Sequence, residues 1–480
     1  MQRPPSHASA SRALTRWRRL LAPCSLALLL AACGSGNGSN AAPQLRVVDD
    51  AYAATNNFDV LVNSVSAVTD LGYGGVTALQ GAAEGGNTVV FEPTGTTTTV
   101  LTASFPAAKG YDYTVFALES SSSLSALIVA QGSASVAAGE AQLNFVSAYP
   151  GQGALDIYLT APTADLPASP TIAALGFQGT DSSAIAPTAL TVAAGDYRLR
   201  AFAPGDTSSA VFDSGPITFA SGANLLLAIN QASGSAAPFN LLVLGLDGSD
   251  FTIADQRVNL RLGSFAPAAG TLDTYLDPTG EGNTSANVFF AGLGAFDVTP
   301  YQAELPAAYR VSMTDSGSTL EIVGASEALG PGTARSIFAI GLAGQASPNQ
   351  LQLLALTDDL SAPANGQAKL RIVHVAPDLA PVDIVLLDVS GATPVIVRRI
   401  GADLSYTGAS SYASLVAGSY TVAVVPTGQD TPLLPSSGGS QLDLSAGTVY
   451  TLVIDGCRFP GSGICGGASA ALQLDLLTDR

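Results

Sequence analysis

The chain has 480 residues, 12% of them charged and 47% hydrophobic, with 19 Lys and Arg against 37 Asp and Glu. That composition rules out global disorder and supplies core material for about three or four domains. A net charge of −18 repels phosphate and excludes nucleic acid as a partner.

In chain order, the first element is a leader. Arg3, Arg12, Arg16, Arg18 and Arg19 stand in an N-terminal stretch without acids, and Leu20 to Leu30 is apolar. A positive stretch before a short oily run is an export signal, because a membrane-spanning helix needs about 20 residues. The sequence Leu30-Ala31-Ala32-Cys33 resembles the bacterial lipoprotein box. The resemblance implies cleavage after residue 32, diacylglycerol on Cys33 and a membrane partner reached through a lipid anchor. Each buried CH₂ adds about 0.8 kcal/mol, so a chain with more than one acyl group stays attached. Gly34 stands where inner-membrane retention signals carry Asp, so the implied address is the outer membrane, facing the periplasm or the cell surface. The alternative is an ordinary signal peptide with Cys33 a bystander. Residues 33–43 read as the lipidated cysteine and a flexible tether.

Beyond the tether the sequence repeats. Four segments open alike, "QLRVVDDAYAATNNFDVLV" at Gln44, "QLNFVSAYPGQGALDIYL" at Gln142, "NLRLGSFAPAAGTLDTYL" at Asn259 and "KLRIVHVAPDLAPVDIVL" at Lys369. Further on, each has a Gly-rich or small-residue turn leading into a strand: "GGNTVVFEPTG", "AGDYRLRAFAPG", "AAYRVSMTDSG" and "AGSYTVAVVPTG". A further apolar strand follows, such as "NLLLAI" or "VYTLVIDG". Short runs rich in Val, Leu, Ile, Tyr and Thr between turn signals predict an all-β fold. At about 100 to 115 residues per copy the unit is a two-sheet sandwich. The expected organisation is a tandem array of four immunoglobulin-like or transthyretin-like β-sandwich domains after the signal peptide, spanning 44–140, 141–257, 258–367 and 368–480. Four such bodies end to end would reach about 140 Å. These landmarks resemble the bacterial family called domain of unknown function 4397, most fully in the last copy. The resemblance implies a fold and an address but no reaction.

Alternation assigns faces. Leu45 and Val47 point to one side of the first strand and Arg46 to the other, and Leu260, Arg261 and Leu262, like Leu370, Arg371 and Ile372, repeat the pattern. In the next strand Phe58, Val60 and Val62 face inward and Asp59 outward, as do Val382, Ile384 and Leu386 with Asp383. An antiparallel hairpin of these strands would pair Arg46 with Asp59, Arg261 with Asp273 and Arg371 with Asp383, each contributing about 0.2–1 kcal/mol. Asn144 would leave the second copy without such a pair. The alternative is that the aspartates solvate an outer face or cap a bend.

Candidate chemistry is sparse. Past the leader the one histidine is His374, and without a G-x-S-x-G elbow it reads as a strand residue, with no catalytic residue, metal or cofactor assigned. Tyr149, Tyr158 and Tyr275 read as packing residues. Acids at the copy junctions, in "LDGSDFTIADQR" and "LTDDL", could offer calcium oxygen ligands but lack a loop motif. In an exported chain Cys457 and Cys465 are expected to form a disulfide, since a zinc site needs two further ligands. Arg458 and Phe459 on that stapled loop are the candidate recognition residues. The functional expectation is a non-enzymatic envelope lipoprotein with structural, adhesive or protein-binding repeats and an envelope protein or polysaccharide as partner. The alternatives are an enzyme acting on carbohydrate or peptide through paired carboxylates, and a periplasmic ligand-binding module.

Overall fold

The computed structural model describes residues 40–480 apart from 53–55, 121–122, 180–182, 232–235, 365, 391–393 and 434–439. The leader and Cys33 lie outside the described residues. Among the described residues the structure is all-β, with one 3₁₀ turn at Gly463–Cys465.

The strands form eight sheets, two in each copy. In the fourth copy one sheet runs Ala413–Val416, Gln367–His374, Val449–Asp455 and Gln473–Thr478, and the other Val395–Leu404, Val382–Asp388, Gly418–Pro426 and Ser440–Leu444. All neighbours are antiparallel except the first strand and Val449–Asp455, which run parallel with Leu370 opposite Tyr450. The other copies repeat this order, and the second adds a ninth strand, Asp250–Ile253. Ala413–Val416 and Gly418–Pro426 lie in different sheets although one residue separates them. Gly418 makes that switch at φ 153°, and Gly195 does so in the second copy at φ 151°, a region that excludes most side chains.

The alternation holds. Leu370, Ile372, Val382, Ile384 and Leu386 form one core with Val422, Val424 and Leu452, and Leu45, Val47, Phe58, Val60 and Val62 share another. The predicted arginine–aspartate hairpins do not form. The first and second strands of each copy lie in opposite sheets, because the first strand pairs instead with the seventh. Arg46, Arg261 and Arg371 therefore project from the far face of a sheet that the aspartate's strand never joins.

That far face is also apolar. Val48, Phe116, Leu118 and Val129 of the first copy pack against Val146, Ala148, Leu226 and Leu242 of the second. Phe265, Phe338, Ile340 and Leu356 of the third pack against Val373, Val375 and Val453 of the fourth. These copies meet face to face, and the end-to-end expectation fails for each pair because the first-strand sheet is apolar on both sides. Between the second and third copies, Asp255 and Arg257 form a buried ion pair at 2.7 Å. Gln256 there donates to the Asp213 carbonyl and accepts from the Gly332 amide.

Candidate functional site

The aspartate that recurs in every copy is a clamp. Its strand enters the sheet one residue before it, so its carboxylate lies between a left-handed residue of the neighbouring edge strand and the glycine of the next turn. Asp59 accepts from the amides of Asp70 and Gly95, each at 2.9 Å. Asp156 accepts from Ala174 at 2.8 Å and Gly205 at 2.9 Å, and Asp273 from Gly292 at 2.8 Å and Gly317 at 2.7 Å. Asp383 accepts from Asp403 at 2.8 Å and Gly428 at 3.1 Å, and pairs with Arg399 at 2.6 Å. All eight donors have positive φ. The bend-capping alternative is thus the one observed. The Gly95 and Asp70 amides hold the Asp59 carboxyl below its usual range, and Gly317 and Gly292 do the same for Asp273 against the opposing effect of burial. At Asp383 burial pushes upward, but the two amides and Arg399 outweigh it and the net direction is down.

The arginines of the first strands join copies. Arg261 reaches Asp479 of the fourth copy at 2.6 Å, while Arg371 reaches Asp358 of the third at 2.7 Å. Each carboxylate is completed by a hydroxyl pair, Tyr412 and Thr451 on Asp479, Tyr301 and Ser336 on Asp358. Each guanidinium also stacks on one of those tyrosines, Arg261 on Tyr301 at 4.6 Å and Arg371 on Tyr412 at 4.8 Å. The contact is reciprocal, as two related sheets placed back to back require. In the first pair it is reduced: Arg46 crosses to the Gly245 carbonyl of the second copy and donates to Thr114 of its own, while Asn144, in the arginine's place, stays within its own copy on the Leu225 carbonyl. Burial, opposed by Asp112, lowers the Arg46 guanidinium to about 10.

Three of the junction acids considered for calcium are engaged by cations, Asp255 by Arg257, Asp358 by Arg371, and Asp359 by Lys369 at 2.7 Å, while Asp247 accepts from the amide and hydroxyl of Ser249. The expected melting curve is the same in millimolar calcium and in chelator. A calcium-dependent rise would reveal oxygen ligands elsewhere.

Cys457 and Cys465 form the disulfide. With Asp378 they are the one cluster of metal-ligand spacing among the described residues, and both sulfurs are spent in the S–S bond. Asp378, which sequence reasoning missed, accepts the amides of Arg458 and Phe459, each at 2.8 Å, and so ties the loop to the turn after the first strand. The sulfurs pack on Leu342 of the third copy. Phe459 is left 57% exposed, with the Arg458 guanidinium over its ring at 5.0 Å.

His374 ends its strand fully buried, and burial lowers its imidazole to about 4. Tyr158 and Tyr275 are buried and Tyr149 packs against the second core, so none of the three is an exposed stacking face. An open cavity of about 550 Å³ in the fourth copy is lined by Gly401, Asp403, Ser405, Ser410 and neighbours, with Asp403 its single carboxylate.

Fold and contacts define a class, tandem sandwiches of eight or nine strands joined back to back in pairs. The sequence profile of the domain of unknown function family DUF4397 matches residues 43–158 and 258–385, half of the chain, and the chain belongs to that family. The matches cover the first and third copies and stop inside the second strand of the copy that follows, whereas the motif resemblance was fullest in the last copy. No curated protein matches the chain. Among solved structures, the multi-modular glycogen-degrading pneumococcal virulence factor SpuA is similar at 9% identity over 58% of this chain, with a TM-score of 0.15, and the chain spans 37% of that protein. The Bacillus anthracis TIE protein is similar at 8% identity over 83% of this chain and 65% of its own length, with a TM-score of 0.15. BcpA, the major pilin subunit of Bacillus cereus, is similar at 8% identity over 66% of this chain and 99% of its own, again at 0.15.

Proposed function

We propose that this chain is a non-enzymatic envelope lipoprotein, anchored through Cys33 to the outer membrane, whose paired sandwiches hold a recognition loop for an envelope protein or polysaccharide. The observation that carries the reading is that the side chains best suited to chemistry are built into the scaffold, while the stapled loop is both fixed and exposed. His374 is buried, the recurring aspartates clamp turns, and Asp358 and Asp479 lock copies together. Asp455 and Asp475, two neighbouring carboxylates of the kind an enzyme of paired acids needs, do not open to substrate, because Asp455 is fully buried. Arg458 and Phe459 instead present a guanidinium and a ring on a loop that loses little entropy on binding.

The test is made in the producing bacterium. Wild-type chain is expected to incorporate labelled palmitate and to fractionate with outer membrane, and Cys33→Ser to lose the label and move to the soluble fraction. Unlabelled wild-type chain free in the medium would overturn the anchor. Protease added to intact cells then separates surface display from a periplasmic location.

A further inference from the structure

Asp50 occupies a place that its sister residues fill with apolar side chains. The parallel openings of the copies set it level with Ala148, Phe265 and Val375, of which Phe265 and Val375 pack in the face between the third and fourth copies. Asp50 lies on the matching face between the first and second copies, two residues beyond Val48, which packs there against Val146 and Leu226. It is 5% exposed, and neither carboxylate oxygen makes a close hydrogen bond among the described residues. Set against it from the second copy is Asn230, also buried, whose amide favours the Asp50 charge and whose Oδ1 has no donor among the described residues. A carboxylate buried this deeply is costly to keep ionised, and the Asn230 amide offsets only part of that cost. A proton on Asp50 removes the charge and offers the Asn230 Oδ1 a donor.

We propose that the face between the first and second copies is a proton-dependent contact, closed with Asp50 protonated and opened when Asp50 ionises. The surrounding groups favour the neutral acid. On its own strand stands Asp49, pushed up to about 7 by burial with Glu119 adding to the effect. From the loop after Val65–Leu71 comes Tyr73, whose hydroxyl donates to the Gln231 carbonyl of the second copy. Tyr149 of the second copy lies within electrostatic range of Tyr73. Tyr52 packs edge-on to Tyr73, and the Arg480 guanidinium stacks on Tyr52 at 5.1 Å. Burial, then Asp49, pushes the Asp50 carboxyl well above its usual range and outweighs the Asn230 amide that favours the charge. A raised value in the closed state means that the contribution of Asp50 is complete below the ordinary carboxylate range and is lost as pH rises. The opening equilibrium should grow about tenfold per pH unit above about pH 4, until Asp50 itself ionises. The inference does not depend on the proposed lipoprotein role.

The experiment is hydrogen exchange by mass spectrometry on the full chain from pH 5 to 9, corrected for intrinsic exchange. Peptides spanning 44–50 and 224–231 are read against 155–160 as an internal reference. In wild type, protection at the two interface segments is expected to fall about tenfold per pH unit relative to the reference. Asp50→Asn, which keeps a donor at every pH, is expected to abolish that slope. Asp50→Val, the residue of the fourth copy, serves as a second variant and is expected to do the same by removing the acid. A slope unchanged in both variants, or a flat wild-type profile, overturns the proposal. So does a wild-type profile flattened by added calcium, which would mean that a cation and not a proton balances Asp50.

Discussion

Asp479→Ala is expected to lower the stability of the joined third and fourth copies by about 3–5 kcal/mol, the range for removing one partner of a buried ion pair. Arg261 is 2% exposed, and without Asp479 its charge stays in a sheet face covered by Tyr301 and Phe338. Thr451 and Tyr412 lose their acceptor in the same step. Removing both charges in Arg261→Met with Asp479→Leu is expected to recover most of the loss, since apolar groups of similar volume suit that face. Denaturant unfolding followed by exchange in the strands Val258–Phe265 and Val449–Asp455 reads the effect locally, which matters because a chain of several copies need not unfold in one step. Equal losses in the single and double variants would show that the arginine is not held through the carboxylate.

Asp383→Ala is expected to cost the fourth copy about 3 kcal/mol, because the Asp403 and Gly428 amides and Arg399 lose a shared charged acceptor at once. Asp383→Asn keeps one acceptor oxygen and should lose less. The clamps also set the acid limit of the sandwiches. Asp59, Asp273 and Asp383 are held below their usual values in the folded chain, so the stability they add is present above the ordinary carboxylate range near 3.9 and is lost as pH falls through the folded values. Melting temperature should therefore drop steeply below about pH 4, with a shallower drop in Asp383→Asn. The sign is opposite to that expected of Asp50, so the two groups are separable in one pH series.

Much of the scaffold was legible because it rests on local pattern. The recurring leucine and aspartate, the alternation in "LRIVHV" and "VDIVLL", and the glycine closing "EPTG", "APG", "TDSG" and "VPTG" located the repeats and the inward faces. The clamp was nearly readable as well. Each aspartate has its glycine at a fixed place in the motif, and the one part not written in sequence is that the second and fifth strands lie side by side. The arginine pairing failed for the same reason: a short connection between two strands suggests a hairpin, whereas here the chain crosses to the other sheet. Uninterrupted apolar runs such as "NLLLAI" and "TLVI" suit a sheet covered on both faces, but the end-to-end expectation took no account of them, and the cover itself, a neighbouring copy, is a long-range fact.

By itself, then, the sequence determined the fourfold repetition, the β class and the inward residues, since each can be read from short local pattern. Only the tertiary structure decided that copies join back to back, that Arg261 and Arg371 find Asp479 and Asp358, and that the buried Asp50 meets Asn230 of the next copy. Those contacts join residues 13 to more than 200 positions apart. Which side chains meet is fixed by how whole sheets stack, a choice made by burial of the second apolar face and invisible to any local pattern.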